Sequence, residues 1–231
     1  MEQNPPKPLN NIEVNKPMED LTNNFKNILV LAPHTDDGEL GAGAFIAKLI
    51  ENNKTVTYVA FSSCQDSIPS EYPKDILVHE VKKATKSLGI QEENLHILDY
   101  KVREFNFSIQ KILDDIINIK NENTFDLVLI PSLNDIHQDH SVIAVEAVRA
   151  FKNISILGYE HPWNHLKLDA NCFIELEERH VLKKIESLSC YKSQGTRNYM
   201  TKDGIFSMAK TEGIKVGLEY AESFSVIRLF L

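Results

Sequence analysis

Short apolar runs alternate along this chain with longer segments whose apolar residues recur at helical spacing. The runs are short and rich in β-branched or aromatic side chains, so they predict strands, at 27–33, 55–61, 94–98, 126–131 and 154–159. The segments between them predict helices, at 40–52, 73–88, 107–121 and 140–151. Because strands and helices alternate, we expect right-handed crossovers and a mainly parallel sheet with helices on both faces.

The alternation becomes irregular after Tyr159. The remaining pattern predicts a loop at 160–168, a strand at 172–176, helices at 177–190 and 199–213, and a last strand at 222–230. No linker or internal repeat divides residues 27–231, so we expect one α/β domain there. Residues 1–26 are rich in Pro and Asn and predict a flexible N-terminal arm. One role for such an arm is to dock a partner.

Charge, hydropathy and cysteine content argue against a nucleic-acid-binding, membrane or disulfide-rich protein. The net charge is -8 at pH 7, so we expect no nucleic-acid partner and no role at a membrane surface. No apolar run approaches the ~20 residues that span a bilayer, and the N-terminus lacks a secretory signal, which favours the cytoplasm. The cysteines are odd in number and widely spaced, which indicates neither a disulfide framework nor a thiolate zinc site: Cys64, Cys172 and Cys190.

Two polar clusters follow two of the predicted strands, His34-Thr35-Asp36-Asp37 after the first and His137-Gln138-Asp139-His140 after the strand at 126–131. In open α/β sheets, ligands bind outside the carboxyl ends of the strands. Either cluster alone is explained more simply by helix N-capping, for which Asp is a common residue. Together they bring more ionisable groups to one sheet edge than capping needs, and a metal ion would offset their repulsion and desolvation.

Imidazole and carboxylate are the usual ligands of zinc where thiolates are absent, and catalytic zinc keeps three protein ligands. His34 and Asp37 lie three residues apart on a turn, and His140 lies at the start of the next helix, so we expect these three to bind the metal. Zinc is the expected ion, and another divalent metal such as Fe2+ also suits this ligand set. We expect no organic cofactor, because the Gly-rich turn at 38–43 lacks the ordered dinucleotide fingerprint.

The remaining residues of the two clusters suit acid–base chemistry. Asp36 lies beside the metal ligands and is placed to accept a proton from an activated water, as a general base. His137 is available to stabilise an oxyanion or to protonate a leaving group. Asp139 is expected to hold His137 in the required tautomer.

These clusters resemble the PHxDD and HxDH motifs of the LmbE-like (PIG-L) zinc-dependent N-deacetylases, and the resemblance covers residues 27–231. It implies a single-domain, Rossmann-like three-layer sandwich. The resemblance also implies hydrolysis of an N-acetyl amide on an amino sugar or sugar conjugate, which releases acetate and a free amine. The implied roles agree with the spacing argument: zinc ligands His34, Asp37 and His140, general base Asp36, and oxyanion-stabilising pair His137 and Asp139.

Some positions depart from the family pattern. Thr35 stands where proline is usual, and Leu77-Val78-His79 stands where many members carry an arginine that contacts substrate, which leaves the substrate class open. Trp163, in the loop after Tyr159, either lines the substrate site or anchors the loop to the core. Arg197 lies near Tyr191 and Gln194 in the sequence and either contacts a sugar phosphate or carboxylate or has an ordinary surface role, and we expect the surface role.

The sequence is also compatible with two other functions. The chain could be a sugar- or nucleotide-binding module with a structural metal, which predicts bound zinc without acetate release. It could also be a metal-dependent hydrolase of another bond type, such as a phosphoesterase. The expected partner is a small-molecule amino sugar, and the sequence leaves a homo-oligomer open.

Overall fold

The computed structural model describes residues 21–195 and 197–230, which contain a seven-stranded sheet. Its strands are β1 (Asn27–Ala32), β2 (Thr55–Ala60), β3 (Leu95–Ile97), β4 (Leu127–Pro131), β5 (Ser155–Tyr159), β6 (Cys172–Leu176) and β7 (Tyr220–Arg228). Their order in the sheet is β3-β2-β1-β4-β5-β7-β6. The first five strands are parallel, and β7 lies antiparallel to both β5 and β6.

Helices cover both faces of this sheet, because the central strands are apolar on both sides. The helices are α1 (Asp37–Glu51), α2 (Ile76–Leu88), α3 (Ile109–Glu122), α4 (Gln138–Ala150), α5 (Glu178–Leu188) and α6 (Lys202–Lys215). In β1, Val30 belongs to the core cluster under α1, α2, α5 and α6, whereas Leu29 belongs to the cluster under α3 and α4. The predicted α/β sandwich with a mainly parallel sheet is therefore confirmed.

Several element boundaries differ from those that the sequence pattern predicts. Helix α1 begins at Asp37 rather than at residue 40, and α4 begins at Gln138 rather than at residue 140. Both helices therefore take up part of a polar cluster in their first turn. Helix α4 is capped by His137, whose Nδ1 accepts the N–H of Asp139 at 3.2 Å, and histidine is not among the usual N-cap residues.

Helices α2 and α6 each begin three residues later than the pattern predicts. Helix α2 begins at Ile76, three residues after Pro73, and ends as expected at Gly89, which has a left-handed φ of 98°. Helix α6 begins at Lys202 and not at residue 199, because Asn198–Met200 forms a separate 3-10 turn.

Most of the predicted N-terminal arm, residues 1–20, lies outside the described residues. Of the rest, Leu21–Asn24 forms a 3-10 turn. Phe25 is buried and belongs to the core cluster under α1, so the packed domain begins before residue 27.

Helix α1 is kinked at Ala42, where φ is -140°. The carboxylate of Glu222 on β7 accepts the N–H groups of Ala44 and Phe45, at 3.1 and 2.7 Å. The buried ammonium of Lys184 bridges this carboxylate at 2.7 Å and the carbonyl of Leu40 at 2.6 Å. Backbone groups beside the kink thus find charged partners inside the protein.

The strand order reverses between β1 and β4, which lie side by side at the centre of the sheet. In doubly wound folds, the crevice at the carboxyl ends of such a pair is the usual ligand site. Both polar clusters leave the sheet at this point. Within the part of the chain that the structure describes, no helix combines the length and the apolar character needed for a membrane crossing.

Candidate metal centre

The three expected metal ligands converge at the carboxyl ends of β1 and β4. Oδ2 of Asp37 lies 3.0 Å from Nδ1 of His34 and 3.2 Å from Nε2 of His140. The two imidazole nitrogens lie 3.4 Å apart. Zinc–ligand bonds of about 2.0–2.1 Å at tetrahedral angles place ligand atoms roughly 3.3 Å apart, so this triangle has the size that zinc requires.

The turn that carries His34 and Asp37 is fixed by backbone contacts and by buried aromatic rings. Oδ2 of Asp37 accepts the N–H of His34 at 2.8 Å, which closes the turn. The hydroxyl of Tyr58 accepts the N–H of Gly38 at 3.1 Å, and a Cβ at Gly38 would overlap this ring. The hydroxyl oxygens of Tyr58 and Tyr191 also lie 3.0 and 2.7 Å from the carbonyl oxygen of Thr35. The two tyrosines therefore hold the turn, in which residue 35 is threonine.

Each candidate imidazole ligand is oriented by a buried carboxylate on its other nitrogen. Nε2 of His34 lies 3.0 Å from Oδ2 of Asp139, and Nδ1 of His140 lies 2.7 Å from Oδ2 of Asp135. Such pairing fixes the tautomer and directs the free nitrogen of the ring at the metal position. The structure thus corrects one expectation, because the carboxylate of Asp139 contacts His34 and not His137.

The charges around the two imidazoles favour a cation at this position. Burial lowers the pKa of His34, but the carboxylates of Asp37 and Asp139 outweigh it and raise this pKa to about 10. Burial likewise lowers the pKa of His140, and Asp37 and Asp135 raise it to about 9. The carboxylates therefore need positive charge between them, and a divalent metal ion would supply it. The donor set fits zinc.

His137 lies beside the triangle. Its ring is 5.0 Å from that of His34, and the nitrogens of His34, His137 and His140 lie within 4.8 Å of one another. Burial, together with His140 and His34, lowers the pKa of His137 to about 4. Because its Nδ1 accepts the N–H of Asp139, the neutral ring carries its proton on Nε2, where it is a hydrogen-bond donor.

Asp36 is buried, and its carboxylate contacts an arginine rather than the imidazoles of the triangle. Its Oδ2 lies 3.3 Å from Nη1 of Arg197. Burial and the neighbouring charge of Asp37 raise the pKa of Asp36, and Arg197 opposes this shift. The expected surface role of Arg197 is therefore wrong, because this side chain contacts the candidate base.

A cavity of about 360 Å³ opens over these residues and is lined by both clusters. Trp163 also lines it, is 39% exposed, and stacks on Tyr199 with ring centroids 3.8 Å apart. The indole also stacks on the buried ring of His161 at 5.3 Å. Trp163 therefore both lines the cavity and anchors its loop.

Sequence reasoning missed two buried residues here. Nδ1 of His161 lies 3.7 Å from Oδ2 of Asp135, and ligand atoms of Asp37, His140 and His161 lie within 4.8 Å of one another. The signal was the position of His161 just after β5, which lies parallel to β4 and ends beside it at this edge. Glu39 accepts hydrogen bonds from Tyr58 and Tyr191, and burial raises its pKa to about 8 despite these bonds.

Comparisons of the sequence with known proteins found a family and a relative. The sequence model of the PIG-L family, described as GlcNAc-PI de-N-acetylase, matches residues 29–151. A curated relative, the uncharacterized deacetylase YaiS of Escherichia coli (strain K12), is 26% identical over 175 residues. The match covers 74% of this chain and 93% of the relative.

Solved structures share the fold at low sequence identity. The N,N'-diacetylchitobiose deacetylase of Pyrococcus horikoshii superposes with a TM-score of 0.74 at 20% identity, over 90% of this chain and 86% of that chain. The 4-carboxy-2-hydroxymuconate hydratase GalB of Pseudomonas putida superposes with a TM-score of 0.72 at 17% identity, over 89% of this chain and 98% of that chain. These likenesses show a common architecture, on which more than one reaction occurs.

Proposed function

This chain belongs to the PIG-L family of GlcNAc-PI de-N-acetylases, whose sequence model spans more than half of it, and from that premise we propose that it hydrolyses the N-acetyl amide of an amino sugar or sugar conjugate. The products are acetate and a free amine. The predicted family and the enzyme class, a deacetylase, are confirmed by this membership. The sugar substrate, zinc as the metal and the roles of individual residues belong to the proposal.

One observation carries the proposal: the triangle formed by His34, Asp37 and His140 lies on the wall of a cavity, with Asp36 beside it. These three residues would hold zinc. When bound, zinc supplies Lewis acidity, which polarises a carbonyl and activates water. The imidazoles are kept in position by Asp139 and Asp135, which act through His34 and His140 as positioning residues.

The acid–base steps fall to two side chains of the cavity wall. Asp36 takes the proton of the attacking water, and its raised pKa strengthens it as a base. His137, with its proton on Nε2, donates a hydrogen bond to the oxyanion of the tetrahedral intermediate. Asp36, which then carries the proton of the water, protonates the departing amine, while neutral His137 keeps its single proton on Nε2. Arg197 holds the carboxylate of Asp36.

Acetate release tests the proposal directly. The intact protein is incubated with N-acetylated sugars and their nucleotide and lipid conjugates, and the metal content of the same sample is measured. We expect acetate from at least one sugar, loss of activity on chelation and recovery with zinc. Stoichiometric zinc without acetate release would support the binding-module alternative, and cleavage of a phosphoester would support the phosphoesterase alternative.

The role of Asp36 is tested separately. The variant Asp36→Asn should lose about 100- to 10,000-fold in turnover, the usual contribution of a general base, while its metal content stays unchanged. Asp66→Asn, at an exposed carboxylate outside the cavity lining, is the matched control and should keep full activity. Loss of the metal in Asp36→Asn would place this residue among the ligands and contradict the assignment.

A further inference from the structure

The turn after β3 places an arginine at the cavity in a conformation that few side chains adopt. Arg103 has a φ of 68°, in the left-handed region, and lines the cavity of the candidate metal centre. A residue with a Cβ is strained there, whereas glycine is not. Such strain concentrates at functional sites, where the surrounding structure enforces it. Cys64, with a φ of 56°, lines the same cavity.

The strained backbone is held by Asp139. Its Oδ2 accepts the N–H of Arg103 at 2.6 Å, and its Oδ1 accepts the N–H of Phe105 at 3.4 Å. The same Oδ2 lies 3.0 Å from Nε2 of His34. Asp139 is fully buried, so the turn that presents Arg103 is attached directly to a candidate metal ligand. A glycine could make this turn without strain, so the turn itself does not account for an arginine here.

The guanidinium of Arg103 lines the cavity and forms no ion pair with a carboxylate among the residues that the structure describes. The other arginine of the lining, Arg197, is paired with Asp36. The chain carries a net charge of -8, so an acidic ligand needs a local cation to approach this site. A guanidinium matches the paired oxygens of a carboxylate or a phosphate.

We propose that Arg103 binds a negatively charged group, a carboxylate or a phosphate, on the sugar substrate and thereby selects acidic sugars over neutral ones. This inference rests on the proposed function in taking a sugar as the substrate. Arg103 acts as a specificity-determining residue, and the hydrolytic step stays with the residues described above.

Equilibrium binding tests the inference without turnover. Glucose, glucose 1-phosphate, glucose 6-phosphate and glucuronic acid contain no acetyl amide, and their binding to the zinc-loaded protein is measured by calorimetry. We expect at least one acidic ligand to bind about tenfold or more tightly than glucose, as a hydrogen-bonded charge pair allows. The phosphate and carboxylate arms show which anion is preferred. Equal affinities for glucose and for all acidic ligands would overturn the inference.

Variants separate charge from structure. Arg103→Gly removes the guanidinium and suits the left-handed φ, so it should fold as stably as the parent protein and lose the preference for the acidic ligand. Arg103→Lys should keep part of the preference. Lys101→Ala, two residues away at an exposed side chain outside the cavity lining, is the control and should keep all of it. An unchanged preference in Arg103→Gly, or an equal loss for glucose and the acidic ligands, would contradict the inference.

Kinetics with the N-acetylated counterparts distinguish this inference from the proposed function. Arg103→Gly should raise KM for the acidic substrate about tenfold and leave kcat and the neutral substrate unchanged. If no N-acetyl sugar releases acetate, the proposed function fails, while the binding measurement still decides the role of Arg103.

Discussion

Nε2 of His34 lies 3.0 Å from Oδ2 of Asp139, although 105 positions separate the two residues in the chain. This contact joins the turn after β1 to the first turn of α4. It directs Nδ1 of His34 towards Asp37. Asp139 contacts His137 through its backbone instead, because its N–H donates to Nδ1 of His137. The HxDH cluster therefore has two roles at this site: Asp139 orients His34 of the first cluster, and His140 is itself a candidate metal ligand.

Replacing Asp139 with asparagine should weaken metal binding. A carboxylate accepts hydrogen bonds on both oxygens, here from Arg103, Phe105 and His34, whereas an amide has only one oxygen. Loss of such an orienting group typically costs about 10- to 100-fold in metal affinity. The affinity is measured by competition with a chromophoric zinc chelator.

The control for this variant is Asp75→Asn, which removes the partner of an exposed imidazole, 3.2 Å from Nε2 of His79. This variant should bind zinc as the parent protein does. If Asp139→Asn binds zinc with unchanged affinity, the contact with His34 has no orienting role.

The sheet and the convergence of the two clusters could be predicted from the sequence, because both depend on local pattern. Strands β1 and β4 are apolar on both faces, which identifies them as central parallel strands. Once they lie side by side, His34, Asp37 and His140 must meet at their carboxyl ends.

The partners within the site could not be predicted, because they depend on how the helices begin. His137 caps α4 and Asp139 lies in its first turn, so their side chains diverge although they are neighbours in sequence. His161 and Arg103 come from other strand ends, and no local pattern specifies that they reach the same cavity. The left-handed φ of Arg103 has no sequence signal, because the residue is not glycine, asparagine or aspartate.

The carboxylate beneath the kink of α1 should be essential for stability. In Glu222→Ala, the N–H groups of Ala44 and Phe45 lose their acceptor and the buried ammonium of Lys184 loses its counter-charge. Breaking a buried ion pair on one side costs about 3–5 kcal/mol of unfolding free energy. Urea denaturation measures this loss. Glu175→Ala, at an exposed side chain on the neighbouring strand β6, should change stability by less than about 0.5 kcal/mol.

Gly41 should not tolerate a side chain. A Cβ at this position would overlap the ring of Tyr159, which is fully buried and donates its hydroxyl to the carbonyl of Leu31 at 2.9 Å. Overpacking of this kind costs about 1–3 kcal/mol, so Gly41→Ala should lower the urea midpoint. Gly195→Ala is the matched control, because the nearest atom to its Cβ would be 3.4 Å away and its φ is -64°. Equal midpoints for the two variants would show that Tyr159 can move aside.

His180 should make the stability of the fold depend on pH. Burial lowers its pKa below the ordinary value of 6.5, although Glu51 opposes the shift. Its Nδ1 accepts the N–H of Glu177 at 3.0 Å, at the start of α5, and protonation of Nδ1 would abolish this bond. Below pH 6.5 the unfolded chain binds more protons than the folded one at this position, so stability falls as the pH is lowered.

The variant His180→Gln should remove this pH dependence of the stability. Glutamine is a usual residue at the third position of a capping box and does not titrate, so His180→Gln should match the parent protein at pH 7.5. Between pH 7 and pH 5 its free energy of unfolding, measured by urea denaturation, should fall less steeply than that of the parent. A slope in His180→Gln as steep as in the parent would assign the acid sensitivity to another group.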